Sequence, residues 1–287
     1  MIKIDSLTKK YGDKYALKDF SLEIPPESIF GLLGVNGAGK TTLLSILNGL
    51  VNFDSGSVEV ASFDLKKQTK EIKSISSIIP QHLAFYEKLT VKENLDFFAA
   101  IQKSSKEALE KAIEINSLTE ILPQKAATLS GGQKRRLNIA IGLLNNPKII
   151  YFDEPTVGVD PRSRGEILDS IKSYKNMGIT VVYTSHYMHE IEYLCDEVAI
   201  IDKGRLVKHD KLNNLLSNRV SDKVLIETVS NQKTKTLGVK LLEKNFIETT
   251  QDELCDILDL LEKNKIFVKQ IKYGTTDLEN YFLEVTK

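Results

Sequence analysis

Apolar and polar positions alternate over residues 2–24 in two bursts, Ile2-Lys3-Ile4 and Phe20-Ser21-Leu22-Glu23-Ile24, around the turn-like Tyr11-Gly12-Asp13. The pattern predicts antiparallel strands ended by Pro25-Pro26. The pattern then changes character. Ile29-Phe30-Gly31-Leu32-Leu33 is an unbroken apolar run, as a strand covered on both faces would be. Leu43, Leu44, Leu47 and Leu50 follow near helical spacing, with Gly49 placed to end the helix. Ser57-Val58-Glu59-Val60 alternates again after Asp54-Ser55-Gly56, and Ile75 to Ile79 reads as a β-branched strand closed by Pro80. From Thr90 to about Leu122 the pattern is helical, with Val91, Leu95 and Phe98 on one face. A second helical run continues from Leu129-Ser130-Gly131-Gly132-Gln133 to Leu144, where Asn145-Asn146-Pro147 stops it.

Two further core strands are predicted at Ile149–Phe152 and Ile179–Thr184, separated by a helix carrying Ile167, Leu168 and Ile171. A hairpin at Val198–Ile201 and Leu206-Val207 closes this part near residue 210. Beyond it, Val224-Leu225-Ile226-Glu227 and Ile266-Phe267-Val268 are expected as strands. Leu254, Ile257, Leu258 and Leu261 give one helix an apolar face, and Leu278, Tyr281, Phe282 and Val285 repeat that spacing. The expected organisation is a large domain over residues 1–216, with a helical subdomain at about 82–145, and a small α+β domain over 217–287.

Composition adds little and excludes more. The chain has 287 residues, 41% apolar and 27% charged, and a formal net charge of zero. That balance is globular, and it argues against a dedicated nucleic-acid binder, which needs a basic surplus. The two cysteines, Cys195 and Cys255, form no metal-like cluster and no disulfide framework. The chain starts without the apolar core of a secretion signal, and no run approaches ~18 apolar residues. Work at a membrane is therefore expected to pass through a partner.

The chemistry concentrates at the ends of the apolar runs. Gly34-Val35-Asn36-Gly37-Ala38-Gly39-Lys40-Thr41 fits G-x-x-x-x-G-K-[ST] between a strand and a helix, as a phosphate-cradling loop requires. The glycines let backbone N–H groups converge on phosphate oxygens, and the helix start adds partial positive charge. Lys40 is placed for the β- and γ-phosphates and Thr41 for Mg²⁺, with Thr42 next in line. A random chain of this length would match the motif on the order of 0.01 times. Gln81 follows a strand end and, by itself, reads as a surface glutamine. Ser130 is a good N-cap before two glycines, which makes a capped helix or a second anion site. Asp153-Glu154 ends a buried strand: Asp153 is suited to Mg²⁺ and Glu154 to deprotonating water. Asp160-Pro161 starts a helix, and His186 falls two residues past the next strand. Tyr11 is either a half-buried tyrosine or an aromatic face for a purine.

Together these residues resemble the nucleotide-binding subunit of an ATP-binding cassette (ABC) transporter, over residues 1 to about 215. The resemblance implies Tyr11 stacking on adenine; Asn36, Gly37, Ala38, Gly39, Lys40, Thr41 and Thr42 binding ATP; and Thr41, Gln81 and Asp153 holding Mg²⁺. It assigns catalysis to Glu154, His186 and Gln81, and dimer communication to Asp160. Ser130, Gly131, Gly132 and Gln133 match the signature motif, which would act on the ATP of a second nucleotide-binding subunit. Pro25-Pro26-Glu27-Ser28 departs from the family's usual Pro-Gly-Glu turn. The implied fold is an α/β phosphate-loop cassette with a central, mostly parallel sheet, an antiparallel β subdomain and a helical subdomain. A small C-terminal α+β accessory domain follows it. The implied activity is ATP hydrolysis coupled to transport through transmembrane permease partners at the cytoplasmic face of the membrane. Val157–Pro161, Lys134–Leu137 and Leu278–Thr286 resemble export-type stand-alone subunits. A cassette ATPase acting on DNA or ribosomes is the rival. Only about 90 residues separate Thr41 from Ser130, without the heptads of a long coiled coil, and a single cassette with no basic arm speaks against both versions. No nucleic-acid partner is expected.

Overall fold

Alternation at the start of the chain becomes two long strands, β1 (Ile2–Tyr11) and β2 (Lys14–Ile24), paired antiparallel from Ile2↔Ile24 to Tyr11↔Lys14. The computed structural model describes residues 1–217, 223–229, 241–242, 246–273 and 278–286. The apolar run after Pro25-Pro26 is β3 (Ile29–Leu33), buried at every position, and the glycine loop leads from it into α1 (Lys40–Leu47). Strands β4 (Ser55–Val60) and β5 (Phe63–Asp64) complete an antiparallel sheet in the order β2-β1-β4-β5.

Helix α2 (Thr69–Ile75) has no counterpart in the sequence reading, which places Ile75 in a strand. This helix buries only Ile72, so its periodicity is too brief to register, and β6 (Ser76–Ile79) begins one residue later than expected. The helical stretch after Thr90 is two helices, α3 (Val91–Gln102) and α4 (Lys106–Ile115). Lys103 turns left-handed (φ 54°) to end the first, and the Ser105 hydroxyl accepts the Ala108 N–H to start the second. The rest of this part comprises α5 (Gly131–Leu143), β7 (Ile149–Asp153), α6 (Pro161–Asn176), β8 (Thr180–Ser185), α7 (Met188–Leu194), β9 (Glu197–Asp202), β10 (Arg205–Lys211) and α8 (Leu212–Ser217).

The central sheet runs β10-β9-β3-β8-β7-β6, parallel throughout except for the β9–β10 hairpin at one edge. Helix α1 joins it to the antiparallel sheet. Leu43, Leu44, Ile46 and Leu47 share one core with Phe30, Leu32, Tyr151, Val182 and Ile201, and with Ile2, Leu7 and Phe20 of the other sheet. Helix α6 contributes Ile167, Leu168, Ile171 and Tyr174 to the buried set, with the Tyr174 ring stacked on Phe152. Register decides function here. Leu33 lies beside Ser185, Asp153 beside Thr184, and Ile79 beside Phe152. The C-terminal ends of β3, β8, β7 and β6 are therefore level, where parallel sheets hold their ligands.

The chain divides into two compact units, residues 1–212 with 285–287, and residues 213–284. The second contains β11 (Lys223–Thr228), β12 (Leu241–Leu242), β13 (Phe246–Thr250), α9 (Leu254–Lys263), β14 (Val268–Tyr273) and α10 (Leu278–Val285). Its antiparallel sheet is ordered β12-β13-β11-β14. Leu254, Ile257, Leu258 and Leu261 of α9 pack with Val224, Ile226, Ile247 and Ile271, as the spacing predicts. The strand expected from Ile266 starts at Val268 instead. Lys265 turns left-handed (φ 55°), and the Ile266 N–H closes on the Leu261 carbonyl, which makes Ile266 the end of the helix core. No helix among the described residues is long and apolar enough to cross a membrane.

Candidate functional site: a nucleotide cleft at the strand ends

The loop after β3 is tight because backbone from elsewhere passes against it. A Cβ at Gly39 (φ 110°) would stand 2.4 Å from the Ala16 carbonyl oxygen, and one at Gly34 would stand 2.4 Å from that of Ile201. Only glycine fits at both. Gly39 opens α1, and no side chain caps that helix, so its first N–H groups face the loop.

Lys40 is buried, and its Nζ donates to the carbonyls of Gly34 (2.8 Å) and Val35 (3.3 Å). The same ammonium lies 3.4 Å from Glu154 Oε1. The other carboxylate oxygen of Glu154, Oε2, is 3.0 Å from His186 Nδ1. Glu154 has left-handed backbone (φ 47°), which turns its side chain off the end of β7, and its N–H donates to the Thr184 hydroxyl at 3.0 Å. Thr41 Oγ1 donates to Asp153 Oδ1 at 3.1 Å, so the helix start and the end of β7 meet. Thr184 Oγ1 stands 3.1 Å from the same carboxylate oxygen. Ala16, Asn36, Gly37, Gly39, Lys40, Thr41, Thr42, Gln81 and Glu154 line one cleft of about 330 Å³. The hydroxyl of Thr41, the carboxylate of Asp153 and the amide oxygen of Gln81 are hard oxygen donors, the kind Mg²⁺ takes. These residues fit that ion.

The remaining candidates lie elsewhere. Tyr11 ends β1 half-exposed, with the Lys9 ammonium 5.0 Å from its ring centroid. Ser130 caps α5 and is exposed. Its Oγ accepts the Gln133 N–H (3.2 Å), and Gln133 Oε1 accepts the Ser130 N–H (2.9 Å). Gly132 is pressed against α6, where a Cβ would lie 2.3 Å from Ser163 Cβ. Asp160 caps α6 by accepting the Ser163 N–H at 3.0 Å, a bond that holds its carboxyl below the usual carboxylate range. None of Tyr11, Ser130, Gly131, Gly132, Gln133 or Asp160 lines the Lys40 cleft.

Three contributors were invisible in the sequence pattern. Ala16, in an ordinary alternating strand, forms one wall of the cleft. Thr184 ties β8 to both acids at the end of β7. Arg135 sits in the Lys134–Leu137 segment, which the resemblance links to export-type subunits without giving this residue a role, and it is buried. It donates to the carbonyls of Pro80 (2.9 Å) and Gln81 (2.7 Å), and burial lowers its guanidinium pKa. No local signal marks it, since its partners lie on another element.

A parallel sheet that brings a glycine loop, a buried lysine and a strand-end glutamate to one cleft, with an aspartate bonded to Thr41 and a histidine to Glu154 behind them, defines a phosphate-loop nucleotide hydrolase. The model of the ABC transporter family matches residues 17–157. The chain is 40% identical to the linearmycin resistance ATP-binding protein LnrL of Bacillus subtilis, over 80% of this chain and 75% of that protein. It is 36% identical to the ABC transporter ATP-binding protein YdbJ of the same organism, over 100% of this chain and 95% of that one. Among solved structures, the dimeric, ADP- and Pi-bound ATP-binding cassette MJ0796 superposes with a TM-score of 0.66 at 27% identity, covering 74% of this chain and 99% of that one. The chain belongs to the ABC transporter family and is an ATP-binding, ATP-hydrolysing subunit of a transporter.

Proposed function

We propose that this chain drives export by hydrolysing ATP at the Lys40 cleft, in a head-to-tail pair of nucleotide-binding subunits. The pair would sit at the cytoplasmic face of the membrane beneath separate membrane-spanning partners. In this reading Tyr11 stacks on adenine, and the backbone N–H groups of Asn36 to Thr42 hold the phosphates. Lys40 exchanges its loop carbonyls for phosphate oxygens. Thr41, Asp153 and Gln81 would hold Mg²⁺, which would supply positive charge against the phosphate oxygens. Glu154 takes a proton from the attacking water while His186 holds the other carboxylate oxygen in place. Ser130 to Gln133 complete the neighbour's site, and Asp160 carries its state across the pair.

The observation that carries the catalytic part is Glu154 held between Lys40 at 3.4 Å and His186 at 3.0 Å. That is a carboxylate oriented from both sides at the edge of a phosphate cleft. Support for export comes from relatives whose names tie them to resistance, LnrL and the daunorubicin resistance ATP-binding protein DrrA3 of Streptomyces coeruleorubidus, 32% identical over 78% of this chain. Support for pairing comes from the dimeric state of the MJ0796 cassette.

Glu154→Gln tests the reading. An amide has the shape of the carboxylate but cannot take the proton, so ATP binding persists while turnover falls by about 10²–10⁴. The variant then accumulates as an ATP-bound dimer, read by light scattering. Wild-type turnover in purified Glu154→Gln would reject the assignment.

A further inference from the structure

Glu190 is the most deeply buried carboxylate among the described residues, at 0% exposure, and it lies outside the cleft. It sits in the first turn of α7, whose N-cap residue Tyr187 offers no side-chain cap. Burying a carboxylate is costly unless hydrogen bonds and an opposite charge surround it, and here they do. The Thr156 hydroxyl donates to Oε1 at 2.7 Å, and those of Ser185 and Tyr183 donate to Oε2 at 2.7 and 2.9 Å. Arg164 Nε stands 3.6 Å from Oε1. Burial first, and Glu190's charge next, push the Tyr183 phenol far above its ordinary pKa, which keeps that proton on the donor.

The addresses of these partners matter more than their number. Thr156 is two residues past Glu154. Ser185 immediately precedes His186, and its oxygen also accepts the Tyr187 N–H at 3.0 Å, so both neighbours of His186 are held. Arg164 lies in the first turns of α6, donates to the Val159 carbonyl at 3.3 Å and covers the Tyr187 ring at 4.9 Å. One carboxylate thus braces the segment after Glu154, the segment carrying His186 and the segment leading into Asp160.

We infer that Glu190 is a positioning residue for the Glu154–His186 pair, setting from below the separation at which those two side chains meet. It touches no reacting atom. The inference rests on the roles proposed for Glu154 and His186 and adds the element that holds them in register. A buried ionised group can be exchanged for apolar packing without loss of stability. What an apolar side chain cannot do is receive three hydroxyl protons, two from β8 and one from the segment after β7, at once. Glutamine cannot do so either. Its single carbonyl oxygen serves one side, and its NH₂ then faces either the Ser185 and Tyr183 protons or the Arg164 guanidinium.

The test is a double-mutant cycle on the full chain in its membrane complex, using single-turnover hydrolysis so that slow variants remain measurable. Glu190→Gln is expected to lower the hydrolysis rate at least tenfold while the ATP concentration for half-maximal rate stays within twofold. In a His186→Ala background the same substitution should cost less than a further twofold, because the pair it serves is already broken. An equal fold-loss in both backgrounds would show a general structural role and overturn the inference, as would a wild-type rate in Glu190→Gln. If Glu190→Gln does not fold, Ser185→Ala and Thr156→Val each remove one brace and should show the same background dependence; equal losses in both backgrounds would overturn the inference here too. His186→Ala slow with Glu190→Gln unaffected sinks only this inference, whereas His186→Ala at wild-type rate removes the proposed role of the histidine and the route through it.

Discussion

At the scale of single residues, the site depends on charges that are buried only because each has a partner. Lys40 is an ammonium at 5% exposure, satisfied by two loop carbonyls and Glu154. A phosphate offers the same ammonium a stronger acceptor at the same address. Lys40→Ala removes that charge-assisted bond, worth about 1.5–3 kcal/mol. ATP affinity should then fall roughly ten- to a hundredfold, measured by titration with a fluorescent nucleotide. Unchanged affinity would remove Lys40 from the phosphate site. Thr41 and Asp153 illustrate the same economy, since their 3.1 Å bond aligns two oxygen donors that the proposed role gives to one ion.

At the scale of elements, α5 is the piece that would link the two proposed functions. Its start presents the cap residue Ser130 and Gly131, while Arg135, little more than a turn further on, grips the carbonyls of Pro80 and Gln81. A rotation of α5 would therefore reach the Gln81 segment directly. Ser130 lies outside its own chain's cleft, which is what a residue serving a neighbour's nucleotide requires. Ser130→Arg should cost about 1 kcal/mol of helix cap and leave ATP binding to the monomer intact. It should also abolish the closed dimer, followed by sedimentation in a Glu154→Gln background. Mixing Ser130→Arg with Lys40→Ala chains should restore one complete site per heterodimer. Loss of ATP binding in the Ser130→Arg monomer would instead assign this helix start to its own cleft.

At the scale of the whole molecule, every residue lining the cleft falls between Ala16 and Glu154, inside the first compact unit. The second unit has a small core built on Val224, Ile226, Ile247, Leu261 and Ile266, the kind of size that is marginal alone. It is proposed to serve docking or regulation without catalysis. Truncation after residue 216 should leave Mg·ATP binding to the monomer nearly unchanged while weakening dimerisation or coupling to the membrane partner. A truncated chain that circular dichroism shows to be folded but that loses nucleotide binding would place this unit in the active site.

What the chain's sequence determined by itself is chemistry that needs neighbours in sequence. The glycine loop Gly34 to Thr41 must be contiguous because successive N–H groups act together. Asp153-Glu154 must follow a core strand, and Ser130-Gly131-Gly132 must open a helix. The alternating and unbroken apolar runs likewise announced the antiparallel strands and the buried core strands, while the parallel arrangement of the latter was implied only by the resemblance. Where periodicity was too brief or a single left-handed residue intervened, as in α2, at Lys103 and at Lys265, the pattern misplaced or merged elements. Tertiary structure alone decided which ends meet. The register Leu33↔Ser185 and Asp153↔Thr184 is what brings Lys40, Glu154 and His186 within bonding distance. It also decided that Arg135 and Glu190, ordinary charged positions on helices, are buried. Burial and distant partners give a charged side chain its role, and neither is written in the residues beside it.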